Sequence, residues 1–215
     1  MQRFTTLTSV AAALPESDVD TDIIFPARFL LLLDRKGLGQ HVFHERRHAK
    51  DGTPFVLEAS PWNHAEILVA GANFGCGSSR EQAVWALVDF GIRCIIARSF
   101  GEIFFANCFK NGALPIVLDE DDHTAVMAEA QAGNAITVDL ETQTVSFSGG
   151  RTIRFEIEPQ RKRSLLLGLD EIGEILADDE PLITQFEERH WREKPWLNLN
   201  QHHHACFADV TKETT

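Results

Sequence analysis

Gly71-Ala72-Asn73-Phe74-Gly75-Cys76-Gly77-Ser78-Ser79-Arg80-Glu81 is the stretch whose reading decides this chain. The apolar run Ile67-Leu68-Val69-Ala70 precedes it, and the helical pattern Gln82-Ala83-Val84-Trp85-Ala86-Leu87-Val88 follows. A strand, a glycine-rich turn and a helix start gather backbone N–H groups around one point, where a carboxylate or phosphate can sit. Ser78, Ser79 and Arg80 add two hydroxyls and a guanidinium at that point. A plainer reading competes: Ser78 with Glu81, and Ser79 with Gln82, each satisfy a capping box. Three features favour the ligand-binding reading. Gly75 and Gly77 allow close backbone approach, one cap needs only one serine, and Arg80 opposes the helix dipole unless it serves an anion.

Named motifs fail here. A P-loop needs lysine and then Ser/Thr after its last glycine, whereas Gly77 is followed by Ser78-Ser79-Arg80. The nucleophile elbow G-x-S-x-G is absent, and no histidine or aspartate is evidently assigned to activate Ser78 as in a hydrolase triad. What remains is an oxygen base and a cation at a helix N-terminus.

Outward from this turn, the pattern predicts strand 66–70, helix 79–90, strand 93–97, helix 100–110 and strand 114–118. Short apolar strands alternating with helices argue for a parallel sheet covered on both faces. Earlier, Phe4 to Ala13 reads as a strand, residues 18–22 as a polar loop, and 34–64 as loops around short helical pieces. Later, 121–132 reads as an acidic helix. Residues 136–138, 144–147 and 152–157 alternate as antiparallel strands, with Gly149-Gly150 turning one hairpin. Residues 160–190 read as helical, punctuated by Gly168, Gly173 and Pro181. The expected organisation is one α/β domain over 1–197 with a mixed sheet, a helical extension at 157–197, and a poorly ordered tail at 198–215.

Composition narrows the function classes. With 20 Lys+Arg against 32 Asp+Glu, net charge −12 and no basic block, a nucleic-acid footprint is absent. No apolar run approaches the roughly 20 residues of a membrane span, and the apolar stretch after residues 1–6 reads as too short for a secretory signal. Cys76, Cys94, Cys108 and Cys206 are widely spaced, without the short spacings of an iron–sulfur or zinc site, so no metal site and no bound cofactor are expected on this chain. A reduced, cytoplasmic protein fits. Asp20-Thr21-Asp22 reads as a turn that could also present a carboxylate to a ligand. Arg28, Arg35, Arg46 and Arg47 read as solvated, and His202-His203-His204 as an adventitious tract.

Five pieces in order resemble the small subunits of bacterial 3-isopropylmalate dehydratase. They are Phe4-Thr5-Thr6-Leu7-Thr8, residues 20–26 (Asp20 to Pro26), residues 73–81 (Asn73 to Glu81), residues 109–115 (Phe109 to Pro115) and residues 168–173 (Gly168 to Gly173). The resemblance implies an aconitase-like swivelling β/β/α domain. It further implies a hydro-lyase subunit that interconverts 2- and 3-isopropylmalate through isopropylmaleate, in leucine biosynthesis. A large-subunit partner, in a heterodimer or higher assembly, would carry a four-iron–four-sulfur cluster, and the ligand would be a small dicarboxylate.

Carried over by position, Ser78 is the proton base, Arg80 binds a substrate carboxylate, and Asp22 is the acidic residue brought to the site. Ser79, Thr21 and Gly77 assist in binding, and Arg35 falls where a second carboxylate-binding arginine is placed, in the substrate-reading loop at 27–48. Gln82 stands where the family commonly has histidine, and Arg46 where a tryptophan is usual. Two alternatives stay open: a subunit of a related citraconate or dimethylmalate hydro-lyase, and a non-catalytic anion-binding regulatory module.

Overall fold

Ile67 and Val69 face one hydrophobic cluster while Leu68 and Ala70 face another, so a strand of four fully buried residues serves two cores. Such a strand must lie inside a sheet covered on both sides. In the computed structural model, which describes residues 1–32, 34–49, 52, 54–77, 80–147 and 149–197, that is where it lies.

The chain opens with strand β1 (Thr6–Leu14), two single-turn helices, α1 (Thr21–Ile24) and α2 (His44–Arg47), and strand β2 (Ile67–Ala70). Helix α3 (Glu81–Phe90), β3 (Cys94–Ala97), α4 (Glu102–Lys110), β4 (Leu114–Val117) and α5 (Glu120–Gln131) follow. Next come β5 (Ala135–Asp139), β6 (Thr144–Phe147), β7 (Thr152–Arg154), α6 (Pro159–Leu167) and α7 (Glu171–Glu193). The strands form one mixed sheet in the order β4-β3-β2-β1-β5-β6-β7. Strands β1 to β4 are parallel, with Ala11 opposite Ile67 and Ile67 opposite Cys94. β5, β6 and β7 continue antiparallel from the other edge of β1. Pro115 is tolerated because β4 is an edge strand, where a missing N–H need not break the ladder.

One face of the parallel half is covered by α3 through Ala83, Val84, Ala86 and Leu87, together with Phe104 of α4. The other is covered by Val126, Met127 and Ala130 of α5. That second core continues under the antiparallel half through Ile136, Val138, Val145 and Ile153. Each buried Val, Leu, Ile, Met or Phe among them contributes about 1.5–3 kcal/mol on leaving water, which makes these two clusters the main stabilising term. The alternating α/β pattern and the antiparallel continuation therefore appear as expected.

Two local readings differ, and a third holds in part, since of the three residues expected to punctuate 160–190 Gly168 breaks the helix while Gly173 and Pro181 lie inside α7. Residues 21–24 form a helical turn rather than open loop, because the Asp20 carboxylate accepts from the Ile23 N–H at 2.8 Å and caps it. The last strand ends at Arg154, not 157. Residues 160–190 divide into two helices because Gly168, at φ +71°, ends α6 in the left-handed region. By contact density, Met1–Asp170 is one compact unit, and the chain from Glu171, described to residue 197, is a second. The expected tail at 198–215, with Cys206 and the histidine triplet, lies outside the described residues.

Candidate active site

Strands β1, β2 and β3 run parallel, so the segments leaving their carboxyl ends, at residues 15–21, 71–77 and 98–101, meet at one edge of the sheet. In open α/β sheets that edge is where ligands bind. The glycine-rich turn is laced to both neighbours. On one side, Asp18 N–H donates to the Ala72 carbonyl (2.9 Å), Gly75 N–H to the Val19 carbonyl (2.7 Å), and Thr21 N–H to the Cys76 carbonyl (3.0 Å). On the other, Phe74 N–H donates to the Ser99 carbonyl (3.0 Å), and Gly101 N–H to the Phe74 carbonyl (2.9 Å). The hydroxyls of Ser17 and Ser99 accept from the N–H groups of Ala72 (3.1 Å) and Asn73 (2.8 Å).

Glycine is required twice in this turn. Gly75 has φ +72°, and a Cβ there would stand 2.2 Å from the Phe104 ring. Gly77 has φ +91°, and its missing Cβ would lie in ordinary contact with Asp20 and the Thr21 hydroxyl. Asn73 is also left-handed, at φ +55°, and its side-chain amide donates to the Asp18 carboxylate at 2.7 Å. Asparagine tolerates that conformation through local hydrogen bonding, and its place between Gly71 and Gly75 was the available signal for a turn residue that sequence reasoning passed over.

Of the residues singled out from sequence, Thr21, Asp22, Gly77 and Arg80 come together. Thr21 is buried, and Asp22, on the exposed side of the α1 turn, forms an ion pair with Arg80. Arg80 itself is the N-cap of α3, in extended conformation and without a capping hydrogen bond, so this helix begins at Glu81 rather than at 79. Glu81 is thus the first residue of α3 and not the third, as a capping box would have it. Its carboxylate instead accepts from the Asn111 amide at 2.9 Å and the Trp85 indole at 3.2 Å. Ser78 and Ser79 lie outside the described residues.

Arg35 does not join this group: its guanidinium lies 4.3 Å from the Trp85 ring centroid, one turn along α3. The stack lines a cavity of about 490 Å³ that also includes Asp89, Arg93, Lys110 and Asn111. The other arginines that looked solvated are engaged. Arg28 pairs with Glu45, Arg46 binds both oxygens of Glu16, and Arg47 pairs with Glu58 while donating to the carbonyls of Gly39 (3.2 Å) and Gln40 (3.1 Å). In the 27–48 loop, Phe29 stacks on His41 at 4.0 Å and His44 on His48 at 4.3 Å. Burial, and then neighbouring positive charge, lower the pKa of His41 and His44.

The three described cysteines do not suit a cluster. Cys94 and Cys108 are fully enclosed, and burial drives both thiols far toward the protonated form, whereas ligation needs thiolate. Cys76 is partly buried, and burial with the Asp20 and Asp18 charges raises its pKa too. Among the described residues, no group of three acidic, histidine or cysteine side chains could hold a metal ion. Nor is any described helix long and apolar enough to cross a membrane.

Comparison with known proteins gives the family and the fold. The family model of the aconitase C-terminal domain matches residues 1–121, and a model described as LeuD_N matches 125–159. The chain is 52% identical over 202 residues to the 3-isopropylmalate dehydratase small subunit of Paramagnetospirillum magneticum, and 50% identical over the same length to that of Roseobacter denitrificans. Each alignment covers 92% of this chain and all of the relative. A solved 3-isopropylmalate dehydratase structure from Methanocaldococcus jannaschii is 29% identical, with a TM-score of 0.63, covering 85% of this chain and 99% of that one.

Proposed function

Because the chain belongs to the family of 3-isopropylmalate dehydratase small subunits, we propose that it is the substrate-gripping half of a hydro-lyase interconverting 2- and 3-isopropylmalate through isopropylmaleate. The observation that carries this is the convergence of Arg80, Asp22, Thr21 and the Gly77 turn at the carboxyl edge of the parallel strands. Removing water from a hydroxy-diacid means abstracting a weakly acidic C–H proton beside a carboxylate, on which negative charge then builds. A guanidinium aimed at that carboxylate stabilises the charge as it develops. Arg80 is the residue we assign to it. Ser78, two places before, acts as the alkoxide, its own proton given up to solvent as neighbouring donors lower its pKa, and the proton taken from carbon restores its hydroxyl. Ser79 and the Gly77 backbone bind the substrate alongside, with Thr21 fixing the turn through its N–H to the Cys76 carbonyl. Asp22 orients Arg80 and shares its donors with the substrate. Arg35 would serve the second carboxylate on leaving the Trp85 face.

The departing hydroxyl needs a Lewis acid, which in this reading comes from a four-iron–four-sulfur cluster held by a large-subunit partner. Complex formation as a heterodimer, and residence in the cytoplasm, belong to the same reading; the free thiols of Cys76, Cys94 and Cys108 fit a reducing compartment. The test is co-expression with a large subunit and an ultraviolet assay for the unsaturated diacid, run on isopropylmalate, citraconate and dimethylmalate. Isopropylmalate should be preferred. Ser78→Ala should assemble normally yet lose about 10²–10⁴-fold in kcat, the span of a proton-transfer residue. Near-normal turnover in Ser78→Ala would remove the serine from the mechanism, and robust turnover by the chain alone would remove the partner.

A further inference from the structure

Helix α7 carries large apolar side chains on a solvent-facing stripe. Ile172, Ile175, Leu176, Leu182 and Phe186 are between 52% and 69% exposed, and no residue of the helix is buried. At 100° per residue these five positions fall within one third of the helix circumference, with His190 stacked on Phe186 at 5.4 Å extending the line. Pro181 falls on the opposite side, where it leaves the stripe continuous. Exposed apolar surface of this length marks an interaction site. From this face we infer that α7 is the docking helix for the large subunit, seated in an apolar groove whose rim is basic. The inference rests on the subunit reading above and specifies its contact surface.

Two considerations select that occupant over a second copy of this chain. The first is area. The 23-residue helix is about 35 Å long, and a contact strip about 10 Å wide offers roughly 350 Å². Two such strips face to face bury about 700 Å², short of the roughly 1,200 Å² at which specific interfaces begin. A groove that wraps the helix on three sides covers more of each residue, the usual arrangement for an amphipathic helix on its partner. The second is charge. The first ten residues of α7 include Glu171, Glu174, Asp178, Asp179 and Glu180 and no basic residue. Asp179 falls inside the apolar arc itself, so whatever receives the helix there must present a cation. A chain of net charge −12 is a poor source of such a rim for its own copy.

The experiment uses the full chain with its large subunit, comparing the unaltered protein, Ile175→Glu/Phe186→Glu, and Asp179→Lys/Glu180→Lys. Association is read by titration, fold by far-ultraviolet circular dichroism, and oligomeric state by light scattering. Both variants alter exposed positions and should keep their helicity. The apolar variant should associate at least 100-fold more weakly, and the charge-reversed variant at least 10-fold more weakly, with kcat recovered when the large subunit is supplied in excess. Undiminished association of both variants, while the unaltered chain forms an active complex, overturns the docking helix and leaves the subunit reading intact. Failure of the unaltered chain to associate overturns both. A dimer of the chain alone, abolished by the apolar substitutions, overturns the choice of occupant.

Discussion

Replacing Gly75 by alanine should destabilise the protein far more than the same change at Gly77, although both glycines lie in one turn at positive φ. Left-handed backbone costs an ordinary L-residue about 1 kcal/mol at either site. At Gly77 little is added, since the nearest atom to a new Cβ is Asp20 Cβ at 3.5 Å. At Gly75 the new Cβ would meet the Phe104 ring at 2.2, 2.5 and 2.6 Å. That ring cannot yield easily: it is 3% exposed, 5.4 Å from Phe74 and stacked on Phe100. Overpacking of this kind adds about 1–3 kcal/mol. For a chain of this size, in which 1 kcal/mol moves the melting temperature by about 2–4 °C, Gly77→Ala should lower Tm by about 2–4 °C. Gly75→Ala should lower it by about 4–16 °C. Thermal denaturation followed by circular dichroism decides it. Phe104→Leu supplies the internal check, because shrinking the ring should relieve part of the Gly75→Ala penalty and give a favourable coupling of about 0.5–3 kcal/mol. Equal melting of the two alanine variants, or zero coupling with Phe104, would refute the steric account of this turn.

Further expectations concern the site and its loop. Arg80→Lys should raise KM about 10–150-fold, the loss of a charge-assisted bond worth about 1.5–3 kcal/mol, with Tm nearly unchanged because its surface pair with Asp22 is worth at most about 1 kcal/mol; steady-state kinetics with an unaltered KM would contradict the assignment. Arg35→Ala should likewise raise KM, and Trp85→Phe should remove the fluorescence change on substrate addition that release of the stack produces; an unaltered KM would leave Arg35 as a partner of Trp85 only. His41 and His44 both have pKa values lowered below their ordinary 6.5, chiefly by burial. The folded state therefore binds protons less readily than the unfolded chain, so stability is full above pH 6.5 and falls as pH drops through the folded values. Melting curves between pH 7 and 5 should show this fall, less steeply in His44→Gln; a Tm that rises on acidification would reverse the sign.

The sheet was legible from sequence because its strands are short, apolar and separated by helices of regular period. Leu68 and Ile95 report burial whichever face they take. Harder to see were contacts set by chain crossing. Nothing local in Arg80 shows that its partner is Asp22, 58 residues earlier, since the pairing exists only because β1 and β2 lie side by side. The competing capping-box reading fails for a related reason, since Arg80 and not a serine caps α3. Glu81 has the right spacing to close a helix turn, but Asn111 and Trp85 hold its carboxylate, and Asn111 reaches it from beyond the next strand. Local rules choose among local partners. A site assembled from three loops of a parallel sheet has few of them.

The Arg80–Asp22 pair also constrains how substrate binding and assembly relate. With Asp22 beside it, Arg80 presents little net positive charge, and a dicarboxylate entering there adds two negative charges to a chain already at −12. Screening at physiological salt acts over about 8 Å, so more distant basic residues cannot compensate, and Arg35 is engaged with Trp85. The isolated subunit should then hold the diacid poorly. In the proposed complex, binding should become favourable once the partner adds positive charge on the far side of the ligand. If the partner tightens diacid binding by some factor, the diacid must tighten subunit association by the same factor, because linked equilibria are reciprocal. Titrating large subunit into small, with and without isopropylmalate, measures that factor directly. Equal dissociation constants in the two titrations, together with tight diacid binding to the small subunit alone, would mean that Arg80 meets the ligand without help and that the pairing with Asp22 imposes no such dependence.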